Sequence, residues 1–341
     1  MKRIQLLLLQ PTYMNGADTM RAARIMEPRR IEVETIARPQ PAPHEVRMRV
    51  EGCGVCGSNL GAWLSVPGLQ YPLAPGEPGH EAWGRIDQVG SAVRGRRAGE
   101  RYAFLSSRGF AEYAVADAFS LVPLPPHTEI FPGEALGCAL NIYRRCEIRS
   151  GQTVALVGAG FIGALLVRLA ARSGARVIAL SRRDFSLQLA ARLGARETLS
   201  SENSSAALAR IMEITQGQGC ERVIEAAGSQ QSLDLASALV STSGRLIIAG
   251  YHQDGPRRIN LQSWNWRGID VINAHEREPQ RYVAGMRAAA AQIASGALDP
   301  TPLYTHDYSL EQSNTAFQAL EMRPPGFIKA FIRPGDGGKR H

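Results

Sequence analysis

The run Thr153–Arg183 limits what this chain can become more than any other stretch. It opens TVALVGAGFIG, a short apolar strand that runs into glycines at 158, 160 and 163. ALLVRLAARSG follows with its apolar residues at helical spacing, and RVIAL then reads as a second strand ending at Ser181. Strand, tight turn, helix, strand is the opening unit of a dinucleotide-binding domain. Gly158 is expected to make the turn, Gly160 to leave room for a pyrophosphate, and Gly163 to let the helix lie close on the sheet. The phosphates would rest on unpaired N–H groups at the helix start, where Phe161 and Ile162 also stand. A GxGxxG alone can be a mere flexible turn; here the flanking strands and helix argue for the nucleotide.

The rest of the chain arranges itself around that unit. SRRDFSLQLAARLG reads as the next helix, ERVIEAAG and GRLIIAG as further strands with SLDLASALV between them, and GIDVINAH (268–275) as a last strand. This alternation predicts a parallel sheet. Upstream, HEVRMRVEGCGVCG, EAWGRIDQVG, RYAFLS and GFAEYAVA are short strands broken by glycine, and 61–79 is loop-like with four prolines, so a small barrel-like β-domain is expected. Glu134–Cys146 reads as the link between the two. PQRYVAGMRAAAAQIASG and YSLEQSNTAFQALEM are late helices and FIKAFI a closing strand. The predicted class is therefore α/β, with a parallel-sheet domain (146–275) inserted into a β-rich domain built from both chain ends (20–145 and 276–334). Residues 1–19 and 335–341 are expected to be extensions.

With 341 residues, 44% hydrophobic and 21% charged, the chain is globular and long enough for two domains. Its formal charge of +8 is nearly all arginine without a long basic run, which argues for scattered anion contacts and against nucleic acid. Five cysteines are too few and odd in number for a disulfide scaffold. IQLLLL after Lys2 and Arg3 is too short for a secretion signal, and no stretch reaches membrane-spanning length, so a cytoplasmic protein is expected.

Cys56, His80 and Cys138 could hold one Zn²⁺ with a position left open for a substrate oxygen. By spacing alone other readings stand beside this one. Cys53 and Cys56 form a CxxC that could be a redox pair or core, and Cys138 could be an inert buried thiol. The order of motifs adds to the spacing. GVCGSN (54–59), PGHEAWG (78–84), VGSAVRGRRAGERY (89–102), GFAEY (109–113), GCAL (137–140), VGAGFIG (157–163) and EAAGS (225–229) together resemble the medium-chain, zinc-dependent alcohol dehydrogenase family from about Met20 to Pro334. The resemblance implies a Rossmann-type domain inserted in a GroES-like one. It places the catalytic zinc on Cys56, His80 and Cys138, with Glu81 able to approach the metal and Ser58 as the proton-accepting hydroxyl. Cys53 is left as a bystander. Asn59 stands where many members carry an aspartate that orients the histidine, and it is expected to accept the same bond. Gly61 stands where many carry a relay histidine. The four-cysteine lobe of a structural zinc is missing, so one zinc per chain is expected.

Ser181 ends the second strand where an NAD-preferring site has an acid, and Arg182 and Arg183 follow. A small neutral side chain with two guanidinium groups favours a 2′-phosphate, hence NADP(H). The resemblance also puts Gly250 and Tyr251 beside the cofactor and Lys329 near its phosphates. Trp63, Leu64, Ala139 and His275 are expected to line the substrate pocket, and Trp264 and Trp266 to be interface or core. GIDVINAH resembles the edge through which relatives pair, so a dimer or tetramer is expected. The function implied is alcohol–carbonyl interconversion on a small molecule, with a polyol, sugar or biosynthetic intermediate as the expected substrate. Reduction of an activated C=C or C=N bond, and a non-catalytic nucleotide-binding protein, are the rivals.

Overall fold

The structure, a computed structural model, describes residues 18–335. The expected extensions therefore fall outside the described residues except for Asp18, Thr19 and Gly335. The described residues open with an antiparallel hairpin, β1 (Thr19–Glu27) and β2 (Arg30–Ala37). Then come β3 (Glu45–Val55), a short helix α1 (Asn59–Leu64), β4 (Glu81–Val89), β5 (Arg101–Phe104), β6 (Tyr113–Asp117) and β7 (Val122–Pro123). The expected link is a helix, α2 (Gly133–Cys146), with Glu134 in its first turn and Arg144 and Arg145 in its last, charges that suit the helix dipole.

The inserted domain follows: β8 (Thr153–Val157), α3 (Phe161–Arg172), β9 (Arg176–Ser181), α4 (Asp184–Arg192), β10 (Glu197–Ser200), α5 (Ser204–Ile214), β11 (Cys220–Glu225), α6 (Gln230–Leu239), β12 (Val240–Ile248), α7 (Leu261–Arg267) and β13 (Asp270–Asn273). The chain closes with α8 (Pro279–Ala294), β14 (Tyr304–Ser309), α9 (Ser313–Met322) and β15 (Lys329–Arg333).

The inserted sheet is parallel throughout, in the order β10-β9-β8-β11-β12-β13. Its central strands are apolar on both faces because helices cover both. Val154 and Leu156 of β8 join one core, while Ala155 and Val157 join the other. The order reverses at β8, so the crevice for a ligand opens at the carboxyl ends of β8 and β11. The second sheet runs β14-β15-β3-β4-β5-β7, with β6 also on β3, and is antiparallel apart from the β14–β15 pair. β15 returns from the far end of the chain to lie on β3, which brings Lys329 to the metal-motif end of that strand.

Candidate active site

β3 ends at Val55, and the turn into α1 carries Cys56 and Ser58. Asn59 pins this turn: its Oδ1 accepts from the Cys56 N–H at 2.8 Å, and its Nδ2 donates to the Pro78 carbonyl at 3.0 Å. His80 Nδ1 lies 2.9 Å from that same carbonyl. A carbonyl only accepts, so Nδ1 carries a proton and Nε2 is the nitrogen that faces a metal. Asn59 thus orients His80 through Pro78 rather than by accepting from the ring, a correction to the sequence reading. Its neutral amide bond to the carbonyl stands in place of the direct charge of an aspartate. Ser58 Oγ lies 3.3 Å from His80 Nε2.

Glu81, the first residue of β4, is fully buried. It fits because Gly54 stands opposite on β3; a Cβ at Gly54 would lie 1.8 Å from Glu81 Oε2. Donor atoms of Cys56, His80 and Glu81 all lie within 4.8 Å of one another, the sole such group of three among the described residues. The fit to a metal is chemical as well as geometric. Burial opposes a charge on His80, but the hydrogen bond and charge of Cys56 outweigh it and push the imidazole up to about 10. The atoms that draw a proton to Nε2 would draw a metal cation in its place.

Cys138 stands one turn along α2 from Glu134 and donates its thiol to Glu134 Oε1 at 3.1 Å. It is not one of the three clustered donors. Burial, then Glu134, raises the Cys138 thiol well above its ordinary value. Glu134 is raised by burial, while the charge of His80 pulls it back down. Sequence reading took Glu134 only as the start of a link. The i, i+4 spacing to Cys138 was the available signal, since it puts both on one helix face.

Lys329 is the largest departure. It is expected beside the cofactor phosphates, but its ammonium is committed to Glu81, 2.6 Å from Oε1 and 2.5 Å from Oε2. Both side chains are closed to solvent, so the carboxylate outcompetes any distant anion. The same Nζ lies 4.8 Å from the ring centre of Phe161, the first residue of α3. One buried cation thus separates the metal donors from the glycine turn.

That turn has the shape a dinucleotide needs. Gly158 has φ +108°, which favours glycine. A Cβ at Gly163 would meet the Gly158 oxygen at 2.0 Å, whereas one at Gly160 would find nothing within 4 Å. The helix packs tightly on its strand, and open space remains above the turn for the phosphates. Ile162 is half-buried against the core. At the end of β9, Ser181 is buried and its Oγ accepts from the Arg183 N–H at 3.2 Å. Arg182 is exposed, and Arg183 Nη1 donates to the Phe327 carbonyl at 2.6 Å. Gly250 packs on the turn after β11, where a Cβ would meet the Gly228 nitrogen at 2.4 Å, and Tyr251 is exposed with its ring against His275.

The pocket expectations fare unevenly. Trp63 is fully buried in the β-domain core against Phe317, and its Nε1 donates to Glu321 at 2.7 Å; Ala139 is buried too. Neither presents a surface to a substrate. Leu64 is exposed, and His275 Nε2 lies 3.0 Å from the Gly250 carbonyl. Trp264 packs on the nucleotide-domain core, while Trp266 is 84% exposed. Sequence reading missed Gln253. Its Oε1 accepts from the Gly61 N–H at 3.2 Å and its Nε2 donates to the Gly57 carbonyl at 3.1 Å, tying the loop after β12 to the metal turn.

Two family descriptions match this chain: "Alcohol dehydrogenase GroES-like domain" over residues 42–126 and "Zinc-binding dehydrogenase" over 162–291. Sorbitol dehydrogenase of Bacillus subtilis (strain 168) is 27% identical, over 93% of this chain and 98% of that relative. 5-exo-hydroxycamphor dehydrogenase of Pseudomonas putida is also 27% identical, over 92% and 97%. Among solved structures, a zinc-binding dehydrogenase of Sinorhizobium meliloti 1021 bound to NADP superposes with a TM-score of 0.80 at 25% identity, covering 93% of this chain and 99% of that one.

Proposed function

The chain belongs to the zinc-dependent medium-chain dehydrogenase/reductase family, and from that premise we propose that it interconverts an alcohol and a carbonyl compound with NADP(H). The observation that carries this reading is the position of Lys329, between the Glu81 carboxylate and the Phe161 ring. Metal donors and dinucleotide turn meet there, as hydride transfer at a polarised oxygen requires.

Cys56 and His80 would hold the zinc, with Cys138 or Glu134 as the third donor from α2 and Glu81 within reach. When bound, the zinc supplies Lewis-acid polarisation of the substrate oxygen, and the nicotinamide supplies or accepts hydride. Ser58 Oγ, beside His80 Nε2, gives or takes the substrate proton. Gly61 offers no side chain to carry it onward, so the cofactor ribose or water does. Ser181, Arg182 and Arg183 favour the 2′-phosphorylated cofactor. The curated relatives include a sorbitol and a hydroxycamphor dehydrogenase, which support a polyol or a cyclic alcohol as the substrate class. Residues 20–145 with 276–334 form the catalytic unit and 146–275 the nucleotide unit. Self-association runs through the β13 edge, where Val271 and Trp266 are exposed.

The test is turnover of polyols, cyclic alcohols and their ketones with NADPH/NADP⁺ and NADH/NAD⁺, beside enals and imines. Alcohol–ketone turnover is expected. Ser58→Ala should slow it by roughly 10²-fold or more while zinc content and NADPH affinity stay near wild type. Turnover confined to enals or imines, or bound zinc without turnover, would overturn the reading.

A further inference from the structure

The turn that carries Ser58 lacks its usual local support. Helix α1 is six residues long, and Ser58 stands at its N-cap. A serine there ordinarily has an extended backbone and accepts, through its hydroxyl, from the N–H two or three residues on. Ser58 does neither. Its backbone is helical, at φ −67° and ψ −21°, its side chain caps no amide, and its Oγ lies 3.3 Å from His80 Nε2 instead. The amide that such a cap would satisfy, the Gly61 N–H, donates at 3.2 Å to Oε1 of Gln253, in the loop after β12. Gln253 Nε2 completes the contact by donating to the Gly57 carbonyl at 3.1 Å. One carboxamide from the nucleotide unit thus holds the chain on both sides of Ser58.

The loop can do this because its base is fixed. Glu225 is fully buried at the end of β11, and its Oε1 accepts from the Ala227 and Gly228 amides at 2.8 and 2.7 Å. Its Oε2 lies 3.0 Å from Nε2 of His252, the residue before Gln253. Arg257 Nε lies 2.9 Å from His252 Nδ1. A guanidinium nitrogen only donates, so Nδ1 holds the lone pair and Nε2 gives its proton to Glu225. Arg257 Nη2 also donates to the Gly228 carbonyl at 3.0 Å, which closes the loop onto the turn after β11. His252 is held against the nucleotide unit, and Gln253 reaches across to the catalytic one.

We propose that Gln253 is a positioning residue for proton transfer: it caps α1 in place of Ser58, and so leaves the Ser58 hydroxyl free to face His80 and the substrate oxygen. This rests on the role given to Ser58 above. Without the carboxamide the Gly61 amide is an unmet donor, and the Ser58 hydroxyl is the acceptor that the N-cap position offers it. The hydroxyl is then drawn toward the helix and away from the reacting atoms. The cap belongs to the nucleotide unit and its target to the catalytic unit, so contact between the two sets the Ser58 turn.

Single-turnover hydride transfer from an alcohol that the wild type oxidises is measured for Gln253→Ala, Gln253→Met and Gln253→Glu, with Gln253→Ala also combined with Ser58→Ala. Gln253→Ala and Gln253→Met should each be about tenfold slower, since Met keeps the bulk but neither bond. Gln253→Glu keeps an acceptor for the Gly61 amide and should recover part of the loss. Zinc content and NADPH affinity should stay within about twofold of wild type. Hydrogen exchange in the segment 57–64, read by mass spectrometry, should quicken by about tenfold in Gln253→Ala and Gln253→Met. Added to Ser58→Ala, Gln253→Ala should slow transfer by less than about twofold more, because the hydroxyl it positions is gone. A Gln253→Met protein as fast as wild type would reduce Gln253 to packing. Additive losses would mean that it does not act through Ser58. Either result overturns the proposal and leaves the alcohol–carbonyl reading standing. A Ser58→Ala protein as fast as wild type would remove the Ser58 role beneath it.

Discussion

Lys329 donates to the Glu81 carboxylate from the first position of β15 to the first position of β4, across the end of β3, with both side chains closed to solvent. Burial works against a charge on Lys329, and Glu81 in front of it more than restores it, so the ammonium is held above its ordinary value. Two chain segments 248 positions apart are locked by this pair directly beside the metal donors.

Removing one member of a buried pair leaves the other charge without compensation, which costs about 3–5 kcal/mol. Lys329→Met should therefore lower unfolding free energy by about that amount in urea titrations. Glu81→Gln combined with Lys329→Met should cost clearly less than Lys329→Met alone, since no buried charge remains. A loss under about 1 kcal/mol for Lys329→Met would mean that the pair does not hold these strand ends.

Metal content should be about one zinc per chain after purification without added metal, and Cys56→Ser or His80→Ala should remove most of it. The α2 donors can be ranked. Cys138 donates its thiol proton to Glu134, so Glu134 stands ready to take that proton when zinc takes the thiolate. Both Cys138→Ser and Glu134→Gln should lose zinc, with Cys138→Ser losing more. The opposite order would make Glu134 the third ligand, and full retention by both would take α2 out of the metal site.

What the sequence made legible follows from how local each feature is. The glycine turn at 158–163 and the parallel sheet are written in contiguous segments, where strand, turn and helix constrain one another. Cys56, Ser58, His80 and Glu81 lie on two short motifs, and β3 and β4 pair directly. Lys329 and Gln253 gain their roles from chain segments far off in sequence, and nothing in their neighbours announces Glu81 or Gly61. Trp63 was misread for a different reason. A large apolar residue next to a metal motif suits a pocket wall and a core equally, and only its contact with Phe317 decides.

Gly61 marks where many relatives of this family would place a relay histidine, and its space is already taken. A Cβ there would lie 2.8 Å from Gln253 Oε1 and 3.2 Å from Val66 Cγ1. Gly61→His should therefore push Gln253 off the metal turn and cost about 1–3 kcal/mol in chemical denaturation, as overpacking does. Adding Gln253→Ala should recover much of that loss. If the double variant is no more stable than Gly61→His, the crowding lies elsewhere.

The proposed cofactor choice can be tested at Ser181 and Arg182. Arg183 spends one guanidinium nitrogen on the Phe327 carbonyl, so Arg183→Ala should loosen the protein as well as the cofactor. Arg182 is exposed and has no such bond, which makes Arg182→Ala the cleaner probe. A charge-assisted hydrogen bond contributes about 1.5–3 kcal/mol, so Arg182→Ala should weaken NADPH by roughly 10–100-fold and leave NADH nearly unchanged. Ser181→Asp puts a carboxylate at the strand end, where it would accept from the ribose hydroxyls of NADH and repel a 2′-phosphate. NADH should bind more tightly to it than to wild type, and NADPH more weakly. The dissociation constants of both nucleotides for wild type and the two variants check this. Equal losses for NADPH and NADH in Arg182→Ala would mean that this arginine does not read the phosphate. A Ser181→Asp protein that still prefers NADPH would move the discrimination away from the end of β9.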